Sequence, residues 1–100
     1  MISDRDINDI ITVVVAKYEI ELESIEGYKE LDDALSSRWK FENLEKLCRK
    51  WIEQEIKISL IKLLCDEIDI VYNLIDRILS KKIKLIQVDI KLKSLESDFG

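Results

Sequence analysis

Residues 60–79 read LIKLLCDEIDIVYNLIDRIL, and 13 of these 20 residues are apolar. They lie inside a run from residue 28 to residue 99, 72 positions without a glycine or a proline, so none of the strongest helix breakers interrupts it. An ordinary amphipathic helix keeps its apolar residues on roughly a third to a half of its circumference. A helix as apolar as this one needs cover on two sides, from its own chain or from another. The stretch predicts a mainly α protein, an antiparallel bundle of three to five helices with one long apolar central helix, folded as a single helical domain over residues 1–100.

Upstream, Ser3 followed by Asp6 reads as an N-cap with an acidic first turn. Ile7, Ile11, Val14, Tyr18, Leu22 and Ile25 then recur at steps of three and four, the spacing of a first helix, with Gly27 as its stop. Tyr28, Leu31, Ala34 and Leu35 share one face of a short second helix, and Ser36 and Ser37 offer a break. A third helix starts at Ser37 or Asn43 and carries Leu44, Leu47, Cys48, Trp51 and Ile52. Its boundary with the fourth is placed at residues 57–59, with one continuous helix over 43–80 as the alternative. In the fourth, Ile61, Cys65, Ile68, Tyr72, Ile75 and Leu79 form a heptad seam, with Leu64, Val71, Leu74 and Ile78 on a second flank.

Two segments fit two periods. Ile86, Val88, Ile90 and Leu92 alternate with polar residues as a half-buried strand would, whereas Leu85, Val88, Leu92, Leu95 and Phe99 fit helical steps. Residues 14–22 show the same ambiguity. Helix is favoured at both because its fit extends further, and a C-terminal strand at 86–92 is the alternative. Residues 94–100 read as a frayed end.

Composition narrows the function. An apolar fraction of 47% supplies one core for a chain of this length. The net charge of −5 disfavours non-specific binding to nucleic acid or acidic membranes. That average hides a split: residues 19–33 hold seven carboxylates against one lysine, and residues 81–93 hold five lysines against Asp89. The sequence has no histidine, hence no Ser-His or Cys-His pair. Its two glycines make no phosphate loop, and two cysteines without histidine make no zinc site. Cys48 and Cys65 read as buried, reduced residues, and carboxylates such as Glu53, Glu55, Asp66, Glu67 and Asp69 as solvated faces. The expectation is a non-enzyme with no cofactor and no metal. No basic-then-apolar leader opens the sequence, and charges interrupt every stretch long enough to span a bilayer. An intracellular protein without membrane contact is expected.

What remains are surfaces. Trp39, Phe41 and Trp51 stand among Arg38, Lys40, Arg49 and Lys50, a pattern that fits core packing, a protein interface or nucleic-acid stacking. Together with the apolar excess of 60–79, this nominates Trp39, Trp51, Leu60, Leu64, Val71, Leu74 and Ile78 as an interface for a protein partner or for self-association. The alternative is nucleic-acid contact through Lys81, Lys82, Lys84, Lys91 and Lys93. The acidic cluster also permits a small immunity or antitoxin-like protein that covers a basic target.

Residues 21–35, ELESIEGYKELDDAL, and residues 67–86, EIDIVYNLIDRILSKKIKLI, together resemble the helical domain of an archaeal GINS subunit. The first is a helix end followed by a glycine, an aromatic residue and an acidic helix. In the second, Leu79, Lys82, Ile83 and Ile86 resemble the spacing of basic and apolar residues in that family's long central helix. The resemblance implies a non-enzymatic subunit whose helices pack beside sister subunits in a DNA-replication assembly. The chain departs from the pattern near Lys82, where arginine is expected, and in carrying no separate β domain. A fainter likeness, of residues 67–93 to the first helix of small helical chorismate mutases, leaves only Arg5, Arg38, Arg49 and Arg77 to hold substrate carboxylates.

Overall fold

Ser3 caps the first helix, α1 (Asp4–Glu23), as its chemistry requires: the hydroxyl accepts from the Asp6 N–H at 3.2 Å, and the Asp6 carboxylate accepts from the Ser3 N–H at 3.0 Å. This reciprocal box satisfies two backbone donors at the helix end, and the backbone hydrogen bond first, then the hydroxyl one, holds the Asp6 carboxyl below the usual aspartate range. The chain continues through α2 (Lys29–Leu35), α3 (Lys40–Glu55), α4 (Ile58–Leu64) and α5 (Ile68–Phe99). The structure, a computed structural model, describes residues 2–99, with side chains through Leu95. The described residues are mainly helical, as expected, and include no strand.

α1 ends at Glu23 with a right-handed Ser24, so Gly27 is not its cap. Gly27 instead takes φ +90 in the turn before α2, and no neighbour lies within 4 Å of where its Cβ would be. Backbone conformation alone calls for glycine there.

Residues 60–79 are not one helix. α3 stops at Glu55, one residue short of the expected boundary region, and α4 is separated from α5 by residues 65–67. A continuous helix over 43–80 would run about 57 Å in a straight line. Breaking it twice folds Ile52, Ile61, Cys65 and Val71 back into one core, where all four are buried. Backbone bonds seat the breaks without glycine or proline: Leu60 N–H and Ile61 N–H reach the Lys57 carbonyl, and Val71 N–H reaches the Glu67 carbonyl.

The long helix therefore begins later than the sequence suggests and extends further. α5 has 32 residues, about 48 Å at 1.5 Å per residue, which accounts for most of the 53 Å long dimension of the molecule. It absorbs residues 86–92, expected as helix with strand as the alternative, and continues through Phe99 where a frayed end was read. Gly100 lies outside the described residues.

α1 and α5 pack side by side, and α3 packs on both. Ile10 and Val13 share a hollow with Ile68 and Tyr72, and one to two turns on, Lys17 and Tyr18 both donate to Asp76. The two helices thus run in the same direction, as the first and last of an up-and-down bundle do, while α3 runs opposite to α1, with Thr12 bonded to Glu45 and Arg49 to Asn8. The intervening segments return the chain: α2 packs mainly on α3, and α4 lies against α1, where Lys62 pairs with Asp4 at 3.1 Å. The core is Ile7, Ile11, Val14 and Leu22 of α1, Leu44, Cys48 and Ile52 of α3, and Ile75, Leu79 and Ile83 of α5.

Asp76 joins α1 to α5 at the edge of this core. It accepts from Lys17 Nζ at 2.9 Å and from the Tyr18 hydroxyl at 2.7 Å. Partial burial pushes its carboxyl up, but the two hydrogen bonds outweigh that and hold it below the usual range. The same contact raises Lys17, while Tyr18 is raised by burial first and by Asp76 second.

Candidate functional site

The bundle leaves two apolar surfaces uncovered. The first is a corner built by α4 and the start of α5. α4 has seven residues and buries only Ile61 fully, so its leucines have nothing beneath them: Leu63 is 77% and Leu64 70% exposed, and Leu60, Ile68 and Ile70 are exposed beside them. Val13 of α1 is exposed next to Ile68, across the hollow it shares with Ile10 and Tyr72. Another hollow, lined by Ile2, Ser59, Lys62 and Leu63, opens on the same corner.

The second surface is a stripe on α5. Leu85, Val88, Leu92 and Leu95 are each about half exposed and follow one another at steps of three, four and three. Ile83, Ile86 and Ile90 of the same helix face the core. At 100° per residue the stripe and the core face point nearly opposite ways. Ile68 and Val88 are 20 residues apart, about 30 Å along the helix axis, so the two surfaces lie toward opposite ends of α5.

The nominated interface residues divide. Leu60 and Leu64 belong to the corner. Trp39, at the N-terminus of α3, is 59% exposed, with the Arg38 guanidinium 5.5 Å from its ring. Leu74 and Ile78 are half-buried against the core. Trp51 and Val71 are corrections, since both are core residues. Trp51 meets Tyr28 edge to face at 6.4 Å and is covered by the Lys82 ammonium 5.6 Å from its ring. Val71 starts the four-step row Val71, Ile75, Leu79, Ile83 that faces α1 and α3. Leu63, Ile68, Ile70 and the 85–95 stripe were missed as surface. The heptad spacing of the stripe was visible, but spacing alone does not say which face is covered.

The lysines also divide. Lys81, Lys84 and Lys91 are exposed and lie with Arg77 along one side of α5, where Arg77, Lys81 and Lys84 line an open groove with Leu85 and Val88. Lys82 turns toward Trp51, and Lys93 pairs with Asp89 at 3.2 Å. The arginines are dispersed: Arg49 donates to Asn8, Arg38 lies against Trp39, and Arg77 is in the α5 groove.

Both cysteines are free and buried, as expected. Burial first, then the nearby Glu45 carboxylate, pushes the Cys48 thiol up to about 12, so at neutral pH it stays a thiol and a poor nucleophile. Among the described residues no group of three or more acidic or thiol side chains is placed to hold a metal ion, and no helix is long and apolar enough to cross a membrane. Compared with known proteins, the chain matches no family model, no curated protein and no solved structure.

Proposed function

We propose that this protein is a non-catalytic helical interaction module, a subunit of a homo-oligomer or of a larger complex. The observation that carries the reading is the α4–α5 corner, where Leu60, Leu63, Leu64, Ile68 and Ile70 stand exposed together. Fully burying a side chain of this kind is worth about 1.5–3 kcal/mol, and exposed apolar side chains gathered on one part of a protein mark contact sites. The resemblance of residues 21–35 and 67–86 to a GINS helical domain supports a DNA-replication assembly as the setting. In that setting the corner would pack against a sister subunit.

The double substitution Leu63→Asp, Leu64→Asp tests the reading. Both side chains are mostly in water in the monomer, so helical content and thermal midpoint are expected to hold while association through the corner, read as mass by light scattering, is lost. A collapse of the midpoint would place these leucines in the core and contradict the proposal.

A second reading has its own observation. Arg77, Lys81, Lys84 and Lys91 share one side of α5 and have no ion-pair partner among the described residues. Four phosphate contacts would give a log–log salt slope of about −3.6 for duplex DNA. Absence of binding at low salt removes this reading.

A further inference from the structure

Ile90 is the last described residue of α5 that packs on the core, and Lys91, Leu92, Lys93, Ser94 and Leu95 beyond it are all exposed. A helical segment this short is marginal in water by itself. The overhang is nevertheless patterned. With Leu85 and Leu92 at position a of a heptad, Val88 and Leu95 take position d, and Phe99 follows in the sequence at the next a. The core-facing Ile83, Ile86 and Ile90 fall at b and f, on the far side of the helix.

Resting on the interaction-module reading, we propose that residues 85–95 of α5 form a parallel two-stranded coiled coil with the same residues of a second copy of this chain.

The flanking charges select that occupant and that direction. From Arg77 to Lys91 position g is basic, with Arg77, Lys84 and Lys91, and position e holds Lys82 and Asp89; further along the sequence g turns acidic at Asp98 and e holds Glu96. In a parallel pair each g residue faces the e residue five positions on in the other strand. Lys84 then faces the partner's Asp89, twice by symmetry. In an antiparallel pair g faces g and e faces e, which sets Lys91 against the partner's Lys91 and Asp89 against the partner's Asp89. The register also explains where the seam starts: Lys81 occupies the preceding d and Lys82 lies over Trp51 of its own chain, so pairing upstream of Leu85 is opposed.

The fold prepares this contact. Up to Ile90 the helix is already held by α1 and α3, so nucleation is complete before the partner arrives. The two bundles, attached at b and f, stay on the outside of the pair. The seam is shorter than a standard interface of about 800 Å² per partner, and a reversible dimer in the micromolar range is expected.

Sedimentation equilibrium on the full chain and five variants tests the proposal, with circular dichroism confirming that each variant folds. The wild type should be a monomer–dimer mixture that Leu92→Glu makes monomeric. Lys84→Glu and Asp89→Lys should each weaken the dimer about tenfold, and the double exchange should restore it, because the pairs reform with reversed sign. A wild type that stays monomeric at every concentration overturns the proposal. So does a dimer untouched by Leu92→Glu, or one strengthened by Lys84→Glu without rescue. A dimer that survives Leu92→Glu but is lost in Leu63→Asp, Leu64→Asp overturns the seam and leaves the interaction-module reading standing.

Discussion

From Val71 to Ile90, α5 is a core helix whose row of isoleucine, valine and leucine is sealed by α1 and α3; over residues 91–95 the same helix stands in solvent with leucines at the same kind of spacing. The residue types are alike, and only the neighbours differ. Helix continuity therefore says little about burial. An apolar residue on this helix is a stability residue or a contact residue according to its face and its distance from the α1–α3 pair.

Five substitutions sharpen or break that contrast. The largest effect is expected where α3 covers α5: Trp51→Ala removes a buried ring and should cost about 3–5 kcal/mol in urea unfolding, whereas exposed Trp39→Ala should stay within about 0.5 kcal/mol. Similar costs at the two tryptophans would mean that Trp39 is also packed. Next, Leu79→Ala on the sealed face should cost about 2–5 kcal/mol. Leu92→Ala, measured where the protein is dilute, should cost less than about 0.5 kcal/mol; a larger loss would show that the distal helix leans on its own chain.

The smallest effect is at Asp76. Its contribution is complete above the ordinary aspartate value of 3.8 and is lost as pH falls through its depressed one. The Lys17 contribution is complete below 10.5 and is lost as pH rises through its raised value. Asp76→Asn should therefore be less stable than wild type between those limits and converge with it in acid. Because Lys17 is about half exposed, the gap is expected to be small and to shrink with salt. A gap independent of pH would assign the loss to the Tyr18 hydrogen bond alone.

Features set by local chemistry were legible in the sequence. The Ser3–Asp6 cap, the short helix of Leu31 and Ala34, and the serine break after Leu35 all depend on residues within one turn of each other. The break at 56–57 was placed only approximately, at 57–59, and the one at 65–67 not at all, because no breaker stands there and the force that makes them is long-range burial of Ile61 and Cys65. The alternation at 86–92 was real and admitted two meanings. Ile86 and Ile90 form one i, i+4 pair facing the core, and Val88 and Leu92 form another facing solvent, so a period of two arises from two faces of one helix. The same limit explains the candidate site. Trp39 and Trp51 carry similar basic neighbours, and Leu64 and Val71 similar apolar ones; only the packing separates each pair.

Amide hydrogen exchange along α5, followed at a low and a high protein concentration, tests the central claim most directly. Residues 71–86 should be protected at both concentrations by the bundle, and residues 91–95 should be open when dilute and become protected as the concentration rises. Equal protection of the two segments when dilute would show that the distal helix is held by its own chain. Distal amides that stay open at the higher concentration would show that a second copy does not cover them.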